Sequence, residues 1–385
     1  MNGFDSRPLP RIIFGEGSIV QLEPVVRNLR VRRFLLVTDK GIRLAGHLDR
    51  VVSLLQEAGA EVAVFDEVRE NPTTVDVERC TTVARSADVE AIIGLGGGSS
   101  LDTAKGCNFV LTQGGKMQDY RGFGKSTRPM LPFLAVPTTA GTGSECQSYA
   151  IISDEDTHEK MACGDLKAMA SVAVLDPRLT DSQPFKVAAC TGIDAVAHAL
   201  ESSVSRNSNA YSRVYSHKAF SLLESNLPSV LQDCPDPVGR GAMLLGASLA
   251  GLAIENSMLG CAHAAANPLT ARFGLTHGHA VGLLLPRVIR FNAEDPGAHA
   301  GYAQLARESG CASADDTPEE AVEYLCGRVE ELTKLCRLPL TLSACGIGRE
   351  QIGQLAVDAT AQWTARFNPR SAGVGDFRDL YSAVY

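Results

Sequence analysis

Short apolar runs alternate with helical stretches between about residues 30 and 180, and this alternation restricts the fold more than any other feature. The β-rich runs are Phe34–Thr38, Glu61–Phe65, Ala91–Leu95, Phe133–Val136 and Ser171–Leu175. Helical spacing separates some of them, in Leu48–Ala58 and Val75–Ala87. Strands that alternate with helices form a mainly parallel sheet covered on both faces, so we predict an α/β domain here.

The pattern changes near residue 184, where long Ala/Leu-rich segments at helical period replace the strands. These segments are Lys186–Val204, Ala210–Leu227, Gly241–Asn256, Pro318–Cys336 and Arg349–Ala359. We therefore predict an α/β domain over residues 1–182 and an all-helical domain over residues 183–385. The length of 385 residues agrees, because one domain usually has about 100–200 residues.

Composition and patterning exclude several classes of protein. The 36 Lys+Arg and 44 Asp+Glu residues give a net charge of −8, which opposes binding to nucleic acid or an anionic membrane. The longest small-apolar stretch, Ala242–Ile254, ends at Glu255, short of the about 18–20 residues that span a bilayer. The eleven cysteines contain no CxxC pair, and Met1–Arg11 lacks a signal-peptide pattern. We expect a cytoplasmic protein without a disulfide scaffold.

A glycine-rich turn follows the predicted strand Ala91–Leu95. Gly96, Gly97 and Gly98 lead into a helix predicted to begin at Leu101. Glycine lets backbone N–H groups approach a ligand, and a helix N-terminus carries positive partial charge, so this turn suits a phosphate. The spacing matches neither GxGxxG nor GxxxxGK[ST], and a linker or a tight structural turn would also explain it.

Two more polar segments follow predicted strands. The loop Pro137–Glu145 suits hydrogen bonding to ribose, phosphate or adenine, or simply the capping of a helix. Its hydroxyl groups belong to Thr138, Thr139, Thr142 and Ser144. Asp39 follows the first strand, at the edge where α/β sheets bind ligands. A carboxylate there accepts both ribose hydroxyls and repels a 2′-phosphate, which favours NAD over NADP; a solvated turn residue is the alternative.

Histidines cluster in the helical half of the chain. Asp194 and His198 are four residues apart in a helical segment, so they lie on one face, one turn apart. His263, His277 and His279 follow in segments rich in small residues. One carboxylate with three imidazoles is a suitable first shell for Fe²⁺ or Zn²⁺ and leaves positive charge to polarise an oxygen. A satisfied core histidine is the alternative for each imidazole taken alone.

The order of these segments resembles the iron-containing, or group III, alcohol dehydrogenase family. The shared motifs are GGGSxxDxAK at Gly96–Lys105, PTTAGTGSE at Pro137–Glu145, GIDAxxHALE at Gly192–Glu201 and H-x13-HG at His263–Gly278. The resemblance covers nearly the whole chain. It implies the architecture shared with dehydroquinate synthase: an N-terminal dinucleotide-binding α/β domain, an all-helical C-terminal domain, and a deep cleft that holds nicotinamide above a metal.

Carried over position by position, the resemblance also implies the site residues. The metal ligands would be Asp194, His198, His263 and His277. The cofactor contacts would be Asp39, Asn71, Gly97, Gly98, Ser99, Asp102, Thr138, Thr139, Thr142, Lys160 and Leu179. His279 would be a substitute ligand or a substrate-pocket group, and it completes the predicted catalytic set.

The activity that the resemblance implies is hydride transfer between a small alcohol or aldehyde and NAD, with Fe²⁺ or Zn²⁺ as the Lewis acid. A homodimer or higher homo-oligomer is expected. Asn267 stands where many family members have a second histidine, and an amide cannot titrate. Either His279, or cofactor ribose and water, would relay the proton, or the substrate differs from a simple primary alcohol.

Three other functions fit parts of the pattern. A metal-independent reductase resembling maleylacetate reductases would have lost metal ligands, yet four candidates are present. A lyase resembling dehydroquinate synthase would need a Lys/Arg cluster for a phosphorylated substrate, and the helical half shows none near the candidate ligands. A non-catalytic metal or nucleotide binder would require that Asn267 has ended turnover.

Overall fold

The computed structural model describes residues 4–232 and 236–385. The chain forms two compact units, one of Arg7–Gln183 and one of Pro184–Tyr385 with residues 4–6. The division after Gln183 lies next to the predicted boundary between residues 182 and 183. Cys234 lies outside the described residues, and all the cysteines within them are free thiols.

The first unit is built on a six-stranded sheet in the order β1-β9-β6-β4-β2-β3, with every neighbouring pair parallel. The strands of this unit are β1 (Arg11–Phe14), β2 (Arg33–Val37), β3 (Glu61–Phe65), β4 (Ala91–Gly96), β5 (Gly122–Phe123), β6 (Phe133–Pro137), β7 (Tyr149–Ser153), β8 (Lys160–Gly164) and β9 (Val172–Leu175). The predicted parallel sheet is confirmed, and each predicted strand agrees with the observed bounds to within one residue.

Helices cover both faces of this sheet. They are α1 (Leu22–Leu29), α2 (Lys40–Leu44), α3 (His47–Glu57), α4 (Thr74–Ser86) and α5 (Gly98–Gln113). Because side chains alternate along a strand, Phe34 and Leu36 of β2 join a core with Leu55 of α3, whereas Leu35 joins a second core with Ala84 of α4. Burial on both faces explains why the central strands are continuous apolar runs.

A second, smaller sheet was not predicted from the sequence. It has the order β5-β8-β7, and β7 and β8 form an antiparallel pair. Its inward residues Ile152 and Met161 share a core with Phe109 of α5. The sheet therefore packs beside the helix that follows the glycine-rich turn.

The second unit is helical throughout its described part, residues 184–232 and 236–385, as predicted. Its helices are α6 (Phe185–Val204), α7 (Ala210–Val230), α8 (Pro237–Glu255), α9 (Cys261–Phe273), α10 (His277–Asn292), α11 (Pro296–Ser309), α12 (Pro318–Leu335), α13 (Ile352–Thr360) and α14 (Val374–Ser382). Helix α8 has the length and apolar composition of a membrane span, but 67% of it is buried inside the protein, which is typical of a core helix.

Glycines allow α10 to approach α6 closely. A Cβ on Gly278 would overlap the backbone carbonyl of Cys190, and a Cβ on Gly282 would lie 2.9 Å from Cγ1 of Ile193. Such contacts are possible only for a residue without a side chain. The N-terminal turn of α10 is thereby held against the helix that carries Asp194 and His198.

Candidate metal centre and nucleotide-binding turn

Three imidazoles converge on one carboxylate oxygen in the helical unit. The Oδ1 atom of Asp194 lies 3.4 Å from Nε2 of His263, 3.7 Å from Nε2 of His198 and 4.0 Å from Nε2 of His277. The rings of His198 and His263 are stacked, with centroids 4.8 Å apart. The structure therefore brings together the four residues that the sequence predicts as metal ligands.

Each of these side chains is positioned by a helix. Asp194 and His198 lie one turn apart on α6, as their spacing predicts. His263 is in the first turn of α9, and His277 is the first residue of α10. The cluster thus depends on the packing of three helices that are far apart in the sequence.

The electrostatics of the cluster favour a positive charge. Burial alone would raise the pKa of the Asp194 carboxyl, but His198, His263 and His277 hold it well below its usual range. Burial alone would lower the pKa of His263, but Glu201 and Asp194 raise it to about 9. The carboxylates therefore create a potential that attracts a cation.

The donor atoms also fit a divalent metal. Asp194 Oδ1 and His263 Nε2 are buried and make no hydrogen bond of good geometry within the described residues, which is costly unless another partner is bound. Ligands about 2.0–2.2 Å from a metal ion are about 3–3.5 Å apart, as are Asp194 Oδ1 and His263 Nε2 at 3.4 Å. The donor atoms of Asp194, His263 and His277 all lie within 4.8 Å of one another. Nitrogen donors with one carboxylate suit iron or zinc.

Sequence reasoning did not assign a role to Glu201, which contacts this cluster. Its Oε2 atom lies 2.6 Å from Nδ1 of His263, and its Oε1 accepts a hydrogen bond from the N–H of Ala262 at 2.6 Å. Glu201 lies on α6, three residues after His198 and seven after Asp194. This spacing places all three residues on one helix face. That pattern could have indicated from the sequence that Glu201 lies near the candidate ligands.

His279 does not join the cluster. Its Nε2 donates a hydrogen bond to the carbonyl of Pro339 at 2.7 Å, because residues two apart on a helix face different directions. The structure does not place His279 among the candidate ligands, and its role as a substitute ligand or a substrate-pocket group stays a prediction. Asn267, one turn after His263, donates from Nδ2 to Oε1 of Gln362 at 3.0 Å.

In the α/β unit, the glycine-rich turn lies against the loop Pro137–Glu145, which we call the hydroxyl loop. A Cβ on Gly97 would lie 3.2 Å from Cγ2 of Thr139, and one on Gly98 would lie 2.7 Å from Cγ2 of Thr142. The N–H of Thr138 donates to the carbonyl of Gly96 at 3.0 Å. Two predicted cofactor-binding segments therefore form one surface at the carboxyl ends of β4 and β6.

Helix α5 begins at Gly98, three residues before the predicted start at Leu101. The extended backbone of Gly97 makes it the N-terminal flanking residue of this helix. Ser99 therefore lies in the first turn, where backbone N–H groups have no partner within the helix. An anion on this side of the turn would meet the positive end of α5.

Asp39 stands beside this turn and also caps a helix. Its Oδ1 accepts from the N–H of Ile42 at 3.0 Å, and its Oδ2 lies 3.5 Å from Oγ of Ser100. Both interpretations of Asp39 thus have structural support, because one carboxyl oxygen caps α2 and the other lies near the glycine turn. Its role toward a ribose stays a prediction.

Two predicted cofactor contacts are buried within the unit. Asp102 accepts hydrogen bonds from Ser144 Oγ at 2.6 Å and from the N–H of Ile151 at 3.2 Å, so both its oxygens already serve the protein. Leu179 is fully buried in the apolar core on one face of the sheet. The structure brings neither side chain to the surface of the glycine turn.

The last two predicted contacts, Asn71 and Lys160, lie near the end of strand β7. Asn71 adopts the left-handed backbone conformation, with φ of +53°. The next residue, Pro72, accepts a hydrogen bond from the N–H of Ser153 at 2.9 Å. Ser153 pairs with Lys160 in the β7–β8 hairpin, so the backbone next to Asn71 and Lys160 both adjoin Ser153.

Family models match both units. Residues 9–177 match the model described as iron-containing alcohol dehydrogenase, and residues 188–385 match the C-terminal model of the Fe-containing alcohol dehydrogenase family. The chain belongs to the iron-containing alcohol dehydrogenase family. The resemblance read from the sequence motifs is thereby confirmed.

Individual relatives agree with this family. Alcohol dehydrogenase 4 of Schizosaccharomyces pombe is 35% identical over 320 residues, which are 83% of this chain and 75% of the relative. NAD-dependent methanol dehydrogenase of Bacillus methanolicus is 30% identical over 374 residues, 96% of this chain and 97% of the relative. A solved 1,3-propanediol oxidoreductase is 30% identical, with a TM-score of 0.96 over 100% of both chains. This iron-containing alcohol dehydrogenase family member is therefore an enzyme of alcohol–aldehyde interconversion.

Proposed function

We propose that this alcohol dehydrogenase depends on NAD and on a divalent metal, Fe²⁺ or Zn²⁺, held by Asp194, His198, His263 and His277. The observation that carries the proposal is the convergence of three imidazole nitrogens on Oδ1 of Asp194. When bound, the metal supplies Lewis acidity toward the substrate oxygen, and NAD supplies the hydride chemistry.

The protein's own contribution is to hold and orient these groups. Asp194 is the single anionic ligand, so a divalent ion keeps net positive charge in the site. Burial of Asp194 and His263 excludes water and strengthens electrostatic interactions there. The four ligands come from helices rather than loops, which fixes their geometry.

Preference for NAD over NADP is supported by Asp39. The carboxylate lies beside the glycine turn, with Oδ2 3.5 Å from Ser100 Oγ, where it would accept ribose hydroxyls and repel a 2′-phosphate. A relative that covers 96% of this chain is named an NAD-dependent methanol dehydrogenase, which supports the same cofactor. We propose small alcohols and their aldehydes as substrates, in line with the names of the relatives.

Asn267 restricts the routes by which the hydroxyl proton of the alcohol can be removed. Its amide cannot titrate, and it is held by Gln362 at 3.0 Å. His279 donates from Nε2 to the Pro339 carbonyl, so that nitrogen is already engaged. We therefore propose that Asn267 acts neither as an acid nor as a base in this enzyme.

The proposal extends to assembly and setting. We propose a cytoplasmic homodimer or higher homo-oligomer whose partners are small molecules rather than nucleic acid or membrane. The net charge of −8 supports the absence of nucleic-acid and anionic-membrane partners, and the free thiols of the described cysteines support a reducing compartment. The homo-oligomer is proposed from the family resemblance alone. Light scattering after size-exclusion chromatography tests the oligomeric state, and a monomer would contradict it.

The test is reconstitution of metal-stripped protein. Fe²⁺ or Zn²⁺ would be added to the apo-protein, and a panel of alcohols and aldehydes assayed with NAD(H) and NADP(H). We expect activity to return only with metal and to be higher with NAD(H). Full activity of the stripped protein, or a preference for NADP(H), would contradict the corresponding part of the proposal.

A further inference from the structure

Glu201 is a buried carboxylate that the proposed reaction does not yet use. Only 3% of its surface is exposed. Its Oε1 accepts a hydrogen bond from the Ala262 N–H, and its Oε2 contacts Nδ1 of His263, each at 2.6 Å. Both contacts reach from α6 to the first turn of α9.

The contact with His263 determines which ring nitrogen carries the proton. An ionised carboxylate only accepts hydrogen bonds, so a 2.6 Å contact requires a hydrogen on Nδ1. In a neutral imidazole the lone pair then lies on Nε2. That nitrogen is the atom 3.4 Å from Oδ1 of Asp194, inside the cluster.

We propose that Glu201 is a positioning residue for the metal, because it holds His263 in the Nδ1–H form with Nε2 directed at the ion. It also places a second carboxylate next to the cluster, behind the His263 ring. Groups that orient a metal-bound histidine in this way typically contribute about 10–100-fold to metal affinity. The inference rests on the metal-binding function proposed above.

A purely structural role for Glu201 is the competing explanation, since it also caps α9. The chain offers a matched control for this. Asn368 caps the same helix end, its Oδ1 accepting from the Cys261 N–H at 3.0 Å. Its side chain otherwise bonds to the Asn292 side chain and to the carbonyl of Arg370. Removing either cap weakens the start of α9, but only Glu201 touches a ligand.

The experiment compares Zn²⁺ affinity among Glu201→Gln, Glu201→Asp, Asn368→Ala and the unmodified chain, by competition with a chromophoric chelator. Glutamine can keep the bond from Ala262, but its NH₂ group then faces Nδ1 and favours the proton on Nε2. We expect E201Q to bind Zn²⁺ about 10–100-fold more weakly. E201D, which keeps a carboxylate, should bind more tightly than E201Q.

Thermal unfolding of the metal-free proteins and the visible spectrum of bound Co²⁺ complete the test. We expect N368A to unfold at lower temperature yet keep its Zn²⁺ affinity within about twofold, whereas E201Q changes the Co²⁺ spectrum. Unchanged Zn²⁺ affinity in E201Q, or an equal loss in N368A, would overturn the positioning role. A wild-type chain that binds no Zn²⁺ or Fe²⁺ would instead overturn the proposed function, so the two failures are distinguishable.

Discussion

Gly278 lies so close to the backbone carbonyl of Cys190 that no side chain fits between them. Gly278 directly follows His277 on α10, and Cys190 lies one turn before Asp194 on α6. The distance from His277 to Asp194 therefore depends on the absence of a Cβ at position 278. Gly278, which is not itself a candidate ligand, therefore controls the geometry of the candidate metal centre.

Gly278→Ala should push the start of α10 away from α6. Overpacking of this kind costs about 1–3 kcal/mol of unfolding free energy, and displacement of His277 should lower metal content as well. Gly327→Ala is the control, because a Cβ at that position of α12 meets nothing within 4 Å. Metal analysis and chemical denaturation would check this, and normal metal content in G278A would contradict it.

Lys105 should be essential to the structure that supports the glycine turn. Its fully buried ammonium donates to the carbonyls of Ser144 and Tyr149 at 2.6 and 2.8 Å, and lies 3.6 Å from Asp102. Lys105→Met leaves these acceptors and a buried carboxylate without the cation, at a cost of about 3–5 kcal/mol.

The matched control for Lys105 is Lys167→Met. Lys167 pairs with Asp165 at 3.2 Å, but 44% of its side chain is exposed, so its loss should cost less than about 1 kcal/mol. Urea denaturation measures the free energy of unfolding of both variants, and NAD titration tests whether each variant binds the proposed cofactor. An equal loss of unfolding free energy in the two variants would contradict a special contribution from the burial of Lys105.

Asp39→Asn should relax the preference for NAD without unfolding α2. Asparagine caps helices as well as aspartate, so the hydrogen bond from Ile42 is kept. Loss of the negative charge should raise kcat/KM for NADP relative to NAD by about tenfold, or about 1.4 kcal/mol. Steady-state kinetics with both cofactors provide the ratio, and an unchanged ratio would argue that Asp39 is only a cap.

Asn267→His should introduce an acid–base group at a position where this chain has an amide. We expect the pH profile of alcohol oxidation to acquire a new inflection at about pH 6.5, the ordinary pKa of histidine. Activity should be lower on the acidic side, where the imidazole is protonated and cannot accept a proton. Asn267→Ala serves as the control, and profiles that coincide for the two variants would refute a proton path through this position.

Much of the fold could be predicted because its signals are local. The central strands are buried on both faces, so runs such as Ala91–Leu95 are recognisable, and Asp194 and His198 show the four-residue spacing of one helix face. The small sheet was missed because β5 has only two residues, and because β7 and β8 are not buried at every position as the central strands are.

The site shows the same division between local and tertiary information. The motif residue Asp102 is turned inward by Ser144 and Ile151, contacts that come from about 42 and 49 residues away. Sequence spacing could not reveal that both its oxygens are used. Likewise, the role of Glu201 depends on a contact with His263, 62 residues away, although its helix face could be read from the sequence.

His263→Ala tests whether the histidine cluster binds the metal on which alcohol oxidation is proposed to depend. Metal content and NAD-dependent alcohol oxidation would be measured on the same preparations of wild-type and variant protein, each reconstituted with Fe²⁺ or Zn²⁺. We expect about one ion per wild-type chain, and loss of both metal and activity in the variant. A variant that oxidises alcohols at the wild-type rate without bound metal would contradict it.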